Sequence, residues 1–268
     1  MTAPKWSVET GNGRYYYHPR KSYQLASVTN IKKVRNVPPI NTWKVNTTAK
    51  YAAENLERLM PLPENERYRL IKSAIYEPSE SGQIGDIVHD WIDRTVKGEV
   101  ITSLDLDAPD IPKAAKPTFN SFLAFTRYYK PTLNDAEFTV WSDKYGYAGT
   151  ADLDMTLDSD DGPKRILADT KSGNKAYWDT AIQLAPLVKA DFILDEGGNE
   201  IPLPQFDGAA ILHLRPTYFM LIPVNHIDEH FKAFLGLKAM FDDEILYADT
   251  TLGYAHKIKS STVPMEGN

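Results

Sequence analysis

Cysteine is missing from all 268 residues. That absence removes disulfides, thiol nucleophiles, cysteine-ligated zinc and iron–sulfur clusters together, so any metal must sit on oxygen and imidazole. Long apolar runs are missing too. None approaches the roughly 18 residues of a membrane span, and the opening MTAPKWSVETGNGRYYYHPR has no apolar signal segment. The expectation is a cytoplasmic, non-membrane protein, in the host cytoplasm if the chain is phage-encoded. No repeat, low-complexity segment or obvious linker interrupts the chain, and no phosphate-cradling GxxxxGK[ST] motif occurs.

Acidic residues are nearly absent from the first fifth. Residues 1 to 50 hold nine lysines or arginines against Glu9 alone, a local charge of +8 within a chain of net charge −6. Trp6, Tyr15, Tyr16, Tyr17, Tyr23 and Trp43 are interleaved with these cations. The mixture offers phosphate attraction together with stacking surfaces, which makes Lys32, Lys33, Arg35, Tyr16 and Trp43 candidate DNA contacts. A solvated basic surface with core aromatics is the competing reading.

What is present is the patterning of an α/β protein. GRYYYHP and SYQLASVTNI read as short strands or a hairpin, with Val37-Pro38-Pro39 as punctuation. Residues 42 to 60 and 64 to 76 read as helical, and EPSESG breaks the chain before QIGDIVHDWIDRTVKG, whose apolar residues recur at helical spacing. The loop LDLDAPDIPKAAKP leads to a helix over 117 to 129. Three strands follow, AEFTVWS, YAGTADLDMTL and KRILADTK, then a helix from about 176, strands DGAAILHLR and YFMLIPVN, and a helix from about 227 to 246. This order predicts one domain over 1 to 268 with a mixed sheet flanked by helices. Residues 1 to 80 form a basic elaboration, 81 to 225 the core, and 226 to 268 a terminal helix and tail.

The charges inside two of those strands are the chemical signal. In RILADTKSG, Asp169 and Lys171 share one strand face while Ile166, Ala168 and Thr170 share the other. Asp152 and Asp154 share a face of the preceding strand, opposite Leu153, Met155 and Leu157. Carboxylates from neighbouring strands can therefore meet, at a cost unless a cation neutralises them. A hard ion, Mg²⁺ or Mn²⁺, suits such oxygen ligands. An EF-hand does not fit, because the Asp-rich stretch alternates as a strand and lacks that loop's Gly and Glu positions. Taken singly, each charge could also be an ordinary solvated or structural group, Asp154 and Glu137 included.

GTAD, ADTK after a hairpin, Gln183 in the next helix and His89 on an upstream helix together resemble the PD-(D/E)XK nuclease superfamily, in its RecB-like, phage exonuclease branch. ASVTNI followed by Trp43 is similar to the N-terminal region of phage members. The resemblance implies a restriction-endonuclease-like core and a metal-dependent DNA nuclease, expected to be an exonuclease in replication, recombination or repair. It implies Asp152, Asp169, Lys171, Gln183 and Glu137 as the catalytic set. His89, Asp152, Asp169 and the carbonyl of Thr170 would hold one or two Mg²⁺ or Mn²⁺ ions, with Lys171 orienting or deprotonating the attacking water. DNA is the implied partner, with a recombination or single-strand-binding protein as a further one. The chain departs from the pattern at Leu187, where members often carry Tyr, and at Pro186, which removes a helix donor. A non-catalytic DNA-end-binding module, a structure-specific endonuclease and a hydrolase of another phosphoester stay open as alternatives.

Overall fold

Alternating apolar residues build the strands and apolar residues spaced by three or four build the helices. Residues 4–35, 38–76 and 79–247 are described in the computed structural model; Val37, Glu77-Pro78 and the tail beyond Tyr247 lie outside them. Three short strands open the chain, β1 (Ser7–Thr10), β2 (Gly13–Tyr17) and β3 (Gln24–Ser27). The last runs straight into α1 (Val28–Lys32), where the Ser27 hydroxyl accepts the Asn30 N–H at 2.9 Å and caps the helix. Helices α2 (Pro38–Glu54), α3 (Leu56–Leu59), α4 (Glu64–Ser73), α5 (Glu80–Val96), α6 (Ser103–Leu106) and α7 (Ala115–Tyr129) follow. The chain then forms β4 (Thr132–Ser142), β5 (Tyr147–Leu157), β6 (Lys164–Lys171), α8 (Thr180–Val188), β7 (Phe192–Leu194), β8 (Glu200–Pro202), β9 (Gly208–Arg215), β10 (Tyr218–Val224) and α9 (Ile227–Tyr247).

All ten strands belong to one mixed sheet. β4, β5 and β6 form an antiparallel meander, β6 lies parallel to β9 after a crossover that carries α8, and β10 closes that side antiparallel to β9. β3 lies parallel to β5, so residues 7 to 27 extend the central sheet and are not an appendage to it. One sheet face packs on α5 and α7 through Val88, Trp91, Ile92, Phe119, Phe122 and Phe125. Burying each of those phenylalanines contributes roughly 1.5–3 kcal/mol. The opposite face packs on α1, α8 and α9 through Ile31, Ile182, Leu187 and Phe234. No helix among the described residues is long and apolar enough to cross a membrane.

Some elements differ from the sequence expectation. β4 reaches back to Thr132, and the loop before α7 contains the single turn of α6, fixed by a reciprocal cap between Thr102 and Asp105. The helix expected from about 176 begins at Thr180. The β7–β8 hairpin was not anticipated, its strands being too short for a period to register.

The site is placed by a fork in the sheet. β4 covers one edge of β5 along nearly its whole length. The other edge is shared: β3 pairs only with Tyr147 and Ala148, and β6 only with Leu153 to Leu157. Residues Gly149 to Asp152 have no strand on that side, and the sheet opens there.

Candidate functional site

The open edge of β5 forms the floor of a cavity of about 440 Å³, walled by α1, α5, α8 and the end of β6. Gly149 lies where α1 and α8 converge on β5, since a Cβ there would come within 2.6 Å of Leu187 and 3.1 Å of Val28. Gly85, one turn before His89, lets α5 approach the loop after Lys171, where a Cβ would sit 3.3 Å from Ser172 Oγ. The two glycines fit because a backbone or side chain must pass close by.

His89, Glu137 and Asp152 meet in this cavity, each offering a ligand atom within 4.8 Å of the others. His89 follows the buried Val88 on α5, at the edge of its apolar stripe. Glu137 reaches the cavity because its backbone is left-handed, with φ at 49°. A non-glycine residue there costs roughly 1–2 kcal/mol. The strand also changes faces at this residue: Ala136 packs on the α5–α7 side and Phe138 on the α8–α9 side. Asp152 stands where β6 has left β5. Its carboxylate accepts the Thr170 backbone N–H at 2.9 Å and the Thr170 hydroxyl at 3.1 Å, replacing the ladder bond that the fork removes.

The His89 ring is held between acceptors. Nδ1 donates to Glu137 Oε1 at 2.8 Å, and Nε2 lies 3.2 Å from the Thr170 carbonyl oxygen and 3.8 Å from Asp152 Oδ2. These partners select the imidazolium. Burial opposes its charge, but Asp152 and Glu137 outweigh burial and raise the pKa from the ordinary 6.5 to about 9. A folded-state value above the unfolded one gives stability that is fully present below pH ~6.5 and is lost as pH rises through about 9. Metal-free protein is therefore expected to show a falling denaturation midpoint across that window. His89→Gln should flatten the fall, and equal slopes in the two proteins would assign it to other groups.

Lys171 completes the cluster from the end of β6. Its ammonium pairs with Asp169 and donates to the Thr170 carbonyl at 3.3 Å. Burial pulls the Lys171 pKa down, but the Asp169 and Asp152 carboxylates overcome it and the net shift is upward, so Lys171 is a cation at neutral pH. Asp169 is 1% exposed, and burial pushes its pKa up against the pull of Lys171. Apart from that ammonium no described residue bonds to its oxygens, both of which are buried.

The structure brings His89, Glu137, Asp152, Thr170, Lys171 and Gln183 to one cavity. Asp169 stands behind Lys171 and outside the His89–Glu137–Asp152 group. Thr170 keeps the face that alternation gives it, the α5 side on which Ala168 packs, and there places its hydroxyl 3.0 Å from His89 Nε2. Asp154 is buried and bound by the Arg165 guanidinium at 2.5 to 3.0 Å, a structural pair away from the cavity. Gln183 lines the cavity from α8, which runs through Pro186.

The proposed DNA contacts divide. Lys33 lines the cavity, and Lys32 and Arg35 pair with Asp179 at 3.2 and 3.6 Å. Tyr16, 1% exposed and packed edge-on to Trp141, lines the cavity from β2. Its hydroxyl meets Thr150 Oγ1 at 2.7 Å. Trp43 is exposed on α2, away from the cavity lining. Sequence reasoning missed Arg14, which lines the cavity, while His213, buried in β9, meets the Gly173 carbonyl through Nε2 at 2.7 Å and ties down the loop after Lys171. The continuous apolar run of GAAILHLR, typical of a strand buried on both faces, marks His213 as buried.

No protein-family model matches the sequence, and no curated protein matches it. Among solved structures, the crystal structure of SSO0001 is similar over 61% of this chain and 74% of its own, at 13% identity and a TM-score of 0.30. A likeness that slight carries no argument.

Proposed function

We propose that this protein is a Mg²⁺- or Mn²⁺-dependent DNA nuclease with a restriction-endonuclease-like core, hydrolysing phosphodiester bonds from a DNA end. The observation that carries the reading is a ligand set for a hard cation, His89, Glu137 and Asp152, in one cavity with the fixed ammonium of Lys171.

The residues fit the ion. Carboxylate oxygens and an imidazole suit Mg²⁺ or Mn²⁺, the Thr170 carbonyl faces the same group, and the imidazolium stands where a cation is wanted. His89, Glu137, Asp152 and the Thr170 carbonyl would hold it, with His89 giving up its proton on binding. A bound dication supplies a water of lowered pKa and neutralises charge on the phosphate. The remaining work falls to the chain. Lys171, kept charged and aimed by Asp169, donates hydrogen bonds to the attacking water and to charge gathering on the phosphate oxygens. The Gln183 amide can orient the same water, while Lys33 and Arg14, the latter paired with Glu9, line the cavity and can attract the phosphodiester backbone. Water oxygen bonds to phosphorus, the bond to the 3′ oxygen breaks, and that oxygen takes a proton, leaving a 5′-phosphate.

The test is incubation with Mg²⁺ and end-labelled linear DNA beside covalently closed circular DNA. Linear DNA should shorten from an end while the circle survives. Rapid nicking of the circle would make the protein an endonuclease, and binding without hydrolysis would make it an end-binding module.

A further inference from the structure

The turn between β6 and α8 displays two adjacent aromatic side chains, Tyr177 at 56% and Trp178 at 65% exposure. The turn is anchored. Ala176 packs against the apolar core, the Thr180 N–H donates to the Tyr177 carbonyl at 3.0 Å, and the Ala181 N–H donates to the Trp178 carbonyl at 3.0 Å. The Arg35 guanidinium lies 4.5 Å from the centroid of the Trp178 ring. Asp179, the next residue, draws Arg35 and Lys32 to the same place. The indole is thus fixed on one side by a cation and open to solvent elsewhere.

Both elements that hold the indole also line the cavity. The turn after α1 brings Arg35 to Trp178, and Lys33, the residue that caps α1, lines the cavity; α8 begins two residues after Trp178, and Gln183 lines the cavity about 4.5 Å along its axis from Thr180. A flat ring backed by a guanidinium and flanked by Lys32 suits a planar base carrying a phosphate on either side. A base paired inside a duplex presents no free face, because its neighbours cover both sides. We propose that Trp178, backed by Arg35, is a stacking platform for an unpaired base of single-stranded DNA whose adjoining phosphate enters the cavity at Lys171. This rests on the nuclease reading and deepens it: the strand reaches the site unpaired.

The test measures binding in chelator, where no hydrolysis occurs, by fluorescence anisotropy of a labelled oligodeoxythymidine of about 12 nucleotides and of a blunt duplex. Wild type should prefer the single strand. Trp178→Ala should weaken single-strand binding roughly 5- to 100-fold, the range for losing one stacked base, with duplex binding unchanged. Trp178→Phe should restore most of the affinity. If Trp178→Ala binds the single strand as wild type does, the platform is overturned and the nuclease reading stands. An equal loss on both DNAs overturns the unpaired-base assignment. If wild type binds neither DNA, the nuclease reading falls and the platform with it.

Discussion

Lys171→Ala is expected to lower turnover by roughly 10² or more, the scale of one lost electrostatic stabiliser, while cation and DNA binding persist. Lys171 pairs with Asp169 and is not one of the His89, Glu137 and Asp152 ligand group. The same change strands Asp169, whose buried carboxylate has no other partner. Leaving one member of a buried pair alone costs about 3–5 kcal/mol unless the survivor neutralises, and Asp169 is already biased toward its protonated form. The single variant should therefore unfold at lower denaturant than wild type. Adding Asp169→Asn should recover much of that stability and none of the turnover. A folded Lys171→Ala protein with wild-type turnover would make the DTK segment a structural pair and nothing more.

Asp152→Asn should fail differently. The amide oxygen can still accept from Thr170, so the closure of the fork survives and the protein stays folded. A neutral amide binds a hard dication poorly, and the affinity for Mn²⁺ should fall by at least about 10-fold, the lower end of what losing even an outer partner of a metal costs. Activity should fall with it and return in part at high Mn²⁺ concentration. The His89 pKa should also drop, because the charge of Asp152 helps to raise it. Unchanged Mn²⁺ affinity beside lost activity would make Asp152 a brace for Thr170 only.

Much of this site was legible in the sequence because strands β5 and β6 carry their own period. YAGTADLDMTL and KRILADTK appear as strands at the residues expected, and the hairpin between them sets Asp152 near Thr170. What alternation could not show is the parting of β6 from β5 after Ala168, with β3 and β6 sharing one edge of β5. That fork opens the cavity beside Asp152, where Thr170 meets His89 from the α5 side while Asp169 pairs with Lys171. The left-handed backbone at Glu137 is equally silent in AEFTVWS, where nothing distinguishes that glutamate from a strand-edge acid. The burial of Tyr16 is not legible in GRYYYHP, which has aromatics on both faces, because composition does not say which face the sheet buries. Trp178 passed unnoticed for the opposite reason: a helix was expected from 176, and the exposed turn replaces its first residues.

The most direct test of the account is a calorimetric titration of Mn²⁺ into metal-free protein, comparing wild type with the double variant Glu137→Gln, Asp152→Asn. Wild type should bind one or two ions saturably with release of protons near neutral pH, since His89 starts protonated, and the double variant should show neither the binding nor the release. Binding in wild type no stronger than in the double variant would contradict the claim that this cavity is a cation-dependent hydrolytic site.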